Sequence, residues 1–246
     1  MNIPFDPIVL GYKINIHLVF EYLAFFIGYR YYLFRRKKTT DSIQTTNRLS
    51  IILGATIGAF LGSRIFGFLE NPILPTSLPS FIDLLNYKTI MGGLFGGLLG
   101  VELAKKIIGE KESSGDLFVF PIILGIFIGR IGCFLSGTNE FTYGKETTFF
   151  LGMNLGDGLQ RHPLALYELV FLAVLFYFLT VLKRKKLQNG LLFQYFMISY
   201  FGFRFFIEFL KPNTFFTFGL SSIQILSIIC YIYYYKTILN LFKNAS

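Results

Sequence analysis

Cysteine, histidine and charge are all scarce in this chain of 246 residues, and each scarcity narrows what it can be. The two cysteines, Cys133 and Cys230, fall in or near apolar segments, so neither a disulfide framework nor a metal-ligand spacing is present. No metal and no cofactor is expected. His17 and His162 are the only histidines. Charged residues make up 15% of the chain and sit in short clusters rather than along amphipathic repeats. No cleavable leader is expected either: Met1 to Lys13 has no basic n-region and no small-residue cleavage site, so the apolar block that follows reads as a retained helix. No internal repeat relates the two halves, which weakens the case for a transporter.

What is abundant is apolar sequence. Hydrophobic residues reach 53%, with a mean hydropathy of +0.56, and they come in blocks of about twenty, the length that spans a bilayer as a helix. Seven such blocks can be read, at roughly 14–34, 49–69, 89–108, 117–135, 163–182, 190–210 and 219–242. A net charge of +9 does not mark a nucleic-acid partner, because the cations lie between the blocks, as topology signals do. On one side fall Arg35-Arg36-Lys37-Lys38, Lys183-Arg184-Lys185-Lys186, Arg48, Lys105, Lys106, Lys111, Lys236 and Lys243; on the other fall Lys13, Lys88, Lys145, Arg161 and Lys211. Fourteen against five orients the chain by the positive-inside rule. The expected fold is an all-α integral membrane protein with seven transmembrane helices, the N-terminus outside and the C-terminus cytoplasmic. It is read as a single polytopic domain over 1–246, with the polar segment at about 136–162 forming an outer cap. The proline-bearing stretch 70–88 is expected to be an external loop with an interfacial piece.

Ionisable residues inside a bilayer are costly, and they mark functional sites by default. His17 and Glu21 share one face of the first block, either as a polar pair between helices or as part of a buried site. Gly54, Gly58 and Gly62 form a small-residue stripe in the second block. The third block, with Gly92-Gly93 and Gly96-Gly97, permits tight packing, a broken segment, or backbone amides turned toward a ligand. Glu102 near its end is a candidate buried carboxylate, with Lys105 and Lys106 as ordinary partners. Arg64, Arg130 and Arg204 each fall in the outer half of a different block, and Arg161 stands at the outer mouth of the fifth. The four guanidinium groups are expected to converge at one depth. They are either paired structurally with Glu70, Glu140, Glu168 and Glu208 or gathered around the phosphate of a lipid headgroup.

The motifs carrying these residues resemble those of the bacterial prolipoprotein diacylglyceryl transferases. They are Gly62-Ser63-Arg64-Ile65-Phe66-Gly67, the glycine-rich third block, Gly129-Arg130-Ile131-Gly132 with Phe134, Arg161-His162-Pro163 with Tyr167-Glu168, and Tyr200, Arg204 and Glu208 at four-residue spacing. The resemblance implies an enzyme of the bacterial cytoplasmic membrane, multi-pass, with its site on the outer side. Such an enzyme moves diacylglyceryl from phosphatidylglycerol to the lipobox cysteine thiol of a preprolipoprotein signal peptide and releases glycerol phosphate. By position, Arg130 and Arg204 are the phosphate clamps, Glu208 orients Arg204, and Tyr200 donates a hydrogen bond. His162 and Glu140 are further catalytic candidates. Arg64, Arg161, Glu168, Gly96, Gly97, Gly132, Gly144, His17, Glu21 and Glu102 are candidates for substrate binding.

The sequence also departs from the family pattern. A histidine expected in the third block is absent from Leu94-Phe95-Gly96-Gly97. Cys133 and Ser136 stand where the family has asparagines, and Thr138 where it has a glutamate, a carboxylate that Glu140 supplies if the loop before Gly144 carries an insertion. A divergent member is therefore expected. Three outcomes follow: transfer with His17, Glu21, Glu102 or His162 as base; a lipid-binding protein without turnover; or a transferase or transporter for another lipid-linked substrate.

Overall fold

The computed structural model describes the chain except residues 1–2, 40–42, 71, 73–86, 186, 214, 217 and 244–246. Most of the expected proline-bearing loop therefore lies outside the described residues. Eight α-helices are found among the described residues: α1 (Ile16–Lys38), α2 (Thr45–Glu70), α3 (Ile90–Ile108), α4 (Val119–Ser136), α5 (Leu164–Lys183), α6 (Leu191–Ile207), α7 (Ser222–Tyr233) and α8 (Tyr235–Lys243). Three of them, α2, α4 with its 3-10 extension, and α5, are long and apolar enough to cross a membrane, or four if the bent pair α7–α8 counts as one span. Large apolar side chains face outward on several helices, including Leu103, Ile107, Val174 and Tyr177. That exposure suits a lipid surround rather than water.

Two departures from the expected fold stand out. The first is a pair of short antiparallel hairpins, β1 (Ile8–Val9) with β2 (Tyr12–Lys13) and β3 (Met153–Asn154) with β4 (Gln160–Arg161). In the second hairpin the Asn154 side chain accepts hydrogen bonds from the Gly156 and Gly158 amides, and both glycines have positive φ, so local turn chemistry builds it. The second departure is in the seventh block, which is not one helix: α7 and α8 meet at Tyr234 with a bend of 71°. Past the bend Lys236, Asn240 and Lys243 alternate with apolar residues, an amphipathic pattern, whereas α7 carries no charged residue.

The chain divides into two compact units, one made of residues 1–40, 114–199 and 209–212, the other of 41–113, 200–208 and 213–246. In the first unit α1 packs against α4. Asn15 caps α1 by accepting a hydrogen bond from the Leu18 amide. The pairing runs antiparallel: Gly28 lies against the Pro121 carbonyl, Gly125 against the Ala24 carbonyl, and Gly132 against Phe20 and His17. At the far end Tyr32 stacks on Phe118 with ring centroids 4.7 Å apart, and the Arg35 guanidinium sits 4.4 Å from the Phe120 ring centre. α5 packs on the other flank of α4, with Leu172, Leu175 and Leu179 buried. Asp116, in the loop before α4, accepts hydrogen bonds from the Gly190 and Phe193 amides at 2.7 and 2.9 Å and so caps the start of α6. Burial pushes the Asp116 carboxyl above its ordinary value, and the two amide bonds oppose that rise.

In the second unit α2 and α3 lie antiparallel and in backbone contact. Gly54, Gly58 and Gly62 meet Gly100, Gly96 and Gly92, and a Cβ added at any of the six would collide with a carbonyl of the facing helix. Helices that close gain dispersion along their whole length, and no residue larger than glycine fits the seam. Gly93 and Gly97 sit beside it, facing Ala59 at ordinary contact distance. α7 packs on both helices and begins with a capping box, in which Ser221 and Gln224 satisfy each other's amides.

Two measurements check this packing. Gly58→Leu should destabilise the protein by roughly 2–3 kcal/mol through overpacking, whereas Gly129→Ala, whose added Cβ meets nothing, should be neutral or slightly stabilising in detergent unfolding. For Asp116 the sign follows from its raised folded value: more protons are bound folded than unfolded, so its contribution is present at low pH and is lost as pH rises through the folded value. The stability advantage of the wild type over Asp116→Asn should therefore shrink as pH is raised from about 4 to 7.

Candidate functional site

The first unit holds a continuous line of polar side chains across α1, α4 and α5. Arg130 is buried, at 8% exposure, and its Nε lies 2.9 Å from Oε1 of Glu168, which is 2% exposed. One guanidinium Nη of Arg130 lies 3.6 Å from the Cys133 sulfur, and that sulfur is 3.6 Å from Nδ1 of His17. The other ring nitrogen of His17 is 4.0 Å from Glu21. Glu168 is one turn into α5, just past the Pro163 that precedes the helix, and Arg130 is near the end of α4, so two helix ends bring the pair together. Gly132 lets α1 approach α4 at this level, because a side chain there would strike Phe20.

Segment 136–162 belongs to the same unit. It opens with a 3-10 turn over Gly137–Asn139, followed by half-buried Glu140, and ends in the β3–β4 hairpin. Arg161 pairs through Nε with Asp157 at 2.6 Å, donates to the Gly144 carbonyl at 3.4 Å, and lies 5.0 Å from the Tyr143 ring centre. The hydrogen bond from Arg161, helped by its charge, holds the exposed Asp157 carboxyl below the ordinary range. His162 Nδ1 is 3.2 Å from the Tyr167 hydroxyl. Gly144 packs directly on His162 and bonds to its carbonyl, which a larger residue would prevent. Beneath the segment, Cys133, Thr142, Tyr143, Pro163, Leu164 and Ala165 line a small cavity.

The second unit repeats the arginine–carboxylate theme. Arg204 donates from Nη2 to Oε1 of Glu208 at 2.6 Å, and Glu208 is fully buried. The second carboxylate oxygen accepts from Asn213 and, at 3.4 Å, from Ser221. Tyr200, one turn before Arg204, is also fully buried. Arg64 is half-buried, donates to the Tyr87 carbonyl at 3.0 Å and lies 5.3 Å from the Phe60 ring centre. Glu102 is about half exposed, at 48%, with Lys105 4.0 Å away, so it is not the buried carboxylate the sequence allowed. Gly96 is committed to the α2–α3 seam, and Gly97 lies beside it against Ala59. The third block holds no histidine; its Phe95 is buried and 6.5 Å from Phe201 between ring centres.

Of the sequence candidates, the structure gathers Arg130, Glu168, Gly132, His17 and Glu21 in one cluster and Arg161, His162 and Gly144 in a second, and it pairs Arg204 with Glu208, one turn after buried Tyr200. Glu140, Arg64, Glu102, Gly96 and Gly97 stand outside these groups. Partners the sequence reading missed are Asp157, Asn213 and Ser221. Asp157 precedes Arg161 by four residues, and Ser221-x-x-Gln224 has the capping-box spacing, so both carried a local signal; Asn213 carried none.

Breaking a buried pair by removing one partner strands the other charge. Glu168→Ala should therefore cost about 3–5 kcal/mol, while Glu102→Ala should fall within about 0.5 kcal/mol of the wild type. Unfolding of both variants in lipid nanodiscs checks the contrast.

The family model for prolipoprotein diacylglyceryl transferase matches residues 7–239. The chain is 35% identical to a phosphatidylglycerol–prolipoprotein diacylglyceryl transferase of Nitratidesulfovibrio vulgaris strain DP4, over 70% of this chain and 64% of that protein. It is 33% identical to the similarly named protein of Wolbachia pipientis wMel, over 77% and 76% of the two chains, and 30% identical to that of Campylobacter hominis, over 98% and 92%. The match to the first of these thus spans under two thirds of the relative's length.

Proposed function

Because the chain belongs to the prolipoprotein diacylglyceryl transferase family, we propose that it moves the diacylglyceryl group of phosphatidylglycerol onto the lipobox cysteine thiol of a preprolipoprotein. The reaction takes place at the outer side of a bacterial cytoplasmic membrane. The relatives it resembles are named for this reaction. The seven-span topology, with the N-terminus outside and segment 136–162 as an outer cap, belongs to the same proposal. In support, α6 is extended to Leu210 by its 3-10 turn, a length adequate for a span.

The observation that carries the reading is Arg130, buried at the end of α4 and fixed by Glu168. Phosphatidylglycerol presents a phosphodiester anion, and the departing glycerol phosphate gains a second charge as the carbon–oxygen bond breaks. A guanidinium keeps its charge at any working pH and meets phosphate oxygens with paired donors. Held by a carboxylate before substrate arrives, it needs little reorganisation to stabilise that developing charge. Arg204 is fixed in the same way by Glu208, which Asn213 and Ser221 hold in turn. Arg130 and Arg204 thus act as phosphate clamps, with Glu168 and Glu208 as their positioning residues.

Phe95 favours a second reading. The third block, where the resemblance expects a histidine, has none and carries this buried aromatic residue, which suits a protein that binds phosphatidylglycerol without transferring from it. Transfer of radiolabelled diacylglyceryl to a lipobox peptide separates the two. The transferase should label the peptide, and Arg130→Ala and Arg204→Ala should each lower the rate roughly 100-fold or more. Unchanged transfer in either variant removes that arginine from the clamp, and binding of phosphatidylglycerol with no transfer by the wild type supports the second reading.

A further inference from the structure

Transfer to a thiol requires a base, since the thiolate is the nucleophile, and the third block holds no histidine. Besides the His162–Tyr167 pair, a second cluster has the elements of proton transfer close together. Cys133 is buried, its sulfur lies between Nδ1 of His17 and a guanidinium nitrogen of Arg130, each at 3.6 Å, and it lines the small cavity beneath segment 136–162. Nε2 of His17 lies 4.0 Å from Glu21. Gly132 makes this contact between α1 and α4 possible. The charged groups facing the cluster are Glu21 from α1, Arg130 from α4 and, through Arg130, Glu168 from α5.

We propose that the acceptor thiol gives up its proton through Cys133 to His17, with Glu21 positioning the imidazole. The proposal rests on the transferase reading. As the acceptor S–H proton moves to the Cys133 sulfur, the thiol proton of Cys133 moves to Nδ1 of His17, and Glu21 balances the imidazolium. The acceptor thiolate then attacks the glyceryl carbon: the carbon–sulfur bond forms, the carbon–oxygen bond breaks, and its electron pair leaves with glycerol phosphate. His17 returns the proton to that phosphate or to water. Cys133 ends the cycle as a thiol, so no covalent enzyme adduct forms. His17 is the base, Cys133 the relay between substrate and base, and Glu21 a positioning residue.

The test uses full-length protein in phosphatidylglycerol nanodiscs with a lipobox peptide, from pH 6 to 9.5. His17→Gln should transfer about 100-fold more slowly at pH 7, and the deficit should narrow above about pH 8.5, where the free peptide thiol ionises unaided. Glu21→Gln should show a smaller deficit that narrows over the same range. Cys133→Ala should lose roughly tenfold at pH 7, and Cys133→Ser, which keeps a proton-bearing atom, should recover most of it. A His17→Gln rate equal to the wild type, or a deficit constant with pH, overturns the relay. A wild type that labels no peptide at any pH overturns the transferase reading beneath it. A second measurement reads the pair without turnover: maleimide should alkylate Cys133 faster in the wild type than in His17→Gln, with fully buried Cys230 as internal reference. Equal alkylation in the two overturns the relay even if transfer is present.

Discussion

A charge removed from water must have a counter-charge beside it, and that constraint shapes both units of this protein. Arg130 with Glu168 and Arg204 with Glu208 are the buried ion pairs around which the motif residues gather. Burying such pairs yields little or no net stability relative to apolar side chains, so their presence is better explained by what an immobilised guanidinium can do. Each glutamate spends its lone pairs on holding an arginine, and Asn213 and Ser221 fill the remaining sites on Glu208. The result is a cation fixed in direction before any substrate arrives.

Glycine supplies the complementary condition. The six-glycine seam between α2 and α3 brings two backbones into contact, and Gly132 does the same for α1 and α4 at the level of His17. In each case the missing Cβ decides what can touch. At the first seam the gain is packing, and the glycines there are filled by the facing helix. At Gly132 the close approach puts the imidazole of one helix against the thiol of another, so a residue chosen for its smallness determines a polar contact one position away.

Much of this was legible in the sequence, and the exceptions have physical causes. The ends of α1 to α6 followed the hydropathy blocks within a few residues, because charge clusters and Pro163 mark helix ends wherever they occur. The Gly54, Gly58 and Gly62 stripe announced a close-packed face, and the pairing of Arg204 with Glu208 is an i, i+4 relation visible by counting. The break between α7 and α8 was not legible, since the apolar run continues through Tyr233, Tyr234 and Tyr235 without a proline or glycine to mark it. The contact of Cys133 with His17 depends on the register of two helices distant in sequence, which no local pattern encodes. The third block admitted packing, breakage or ligand binding by composition alone, and only the facing glycines of α2 show packing at Gly92, Gly96 and Gly100.

A member of this family with no histidine in its third block raises one question above the others: whether it completes the transfer. The most direct measurement is complementation of a bacterial strain depleted of its own prolipoprotein diacylglyceryl transferase, with the lipoproteins of the rescued cells examined by mass spectrometry. Transfer chemistry built on Arg130 and its neighbours requires growth to be restored and the lipobox cysteine to carry a diacylglyceryl thioether. Normal expression in the membrane with no rescue and unmodified cysteines would contradict it.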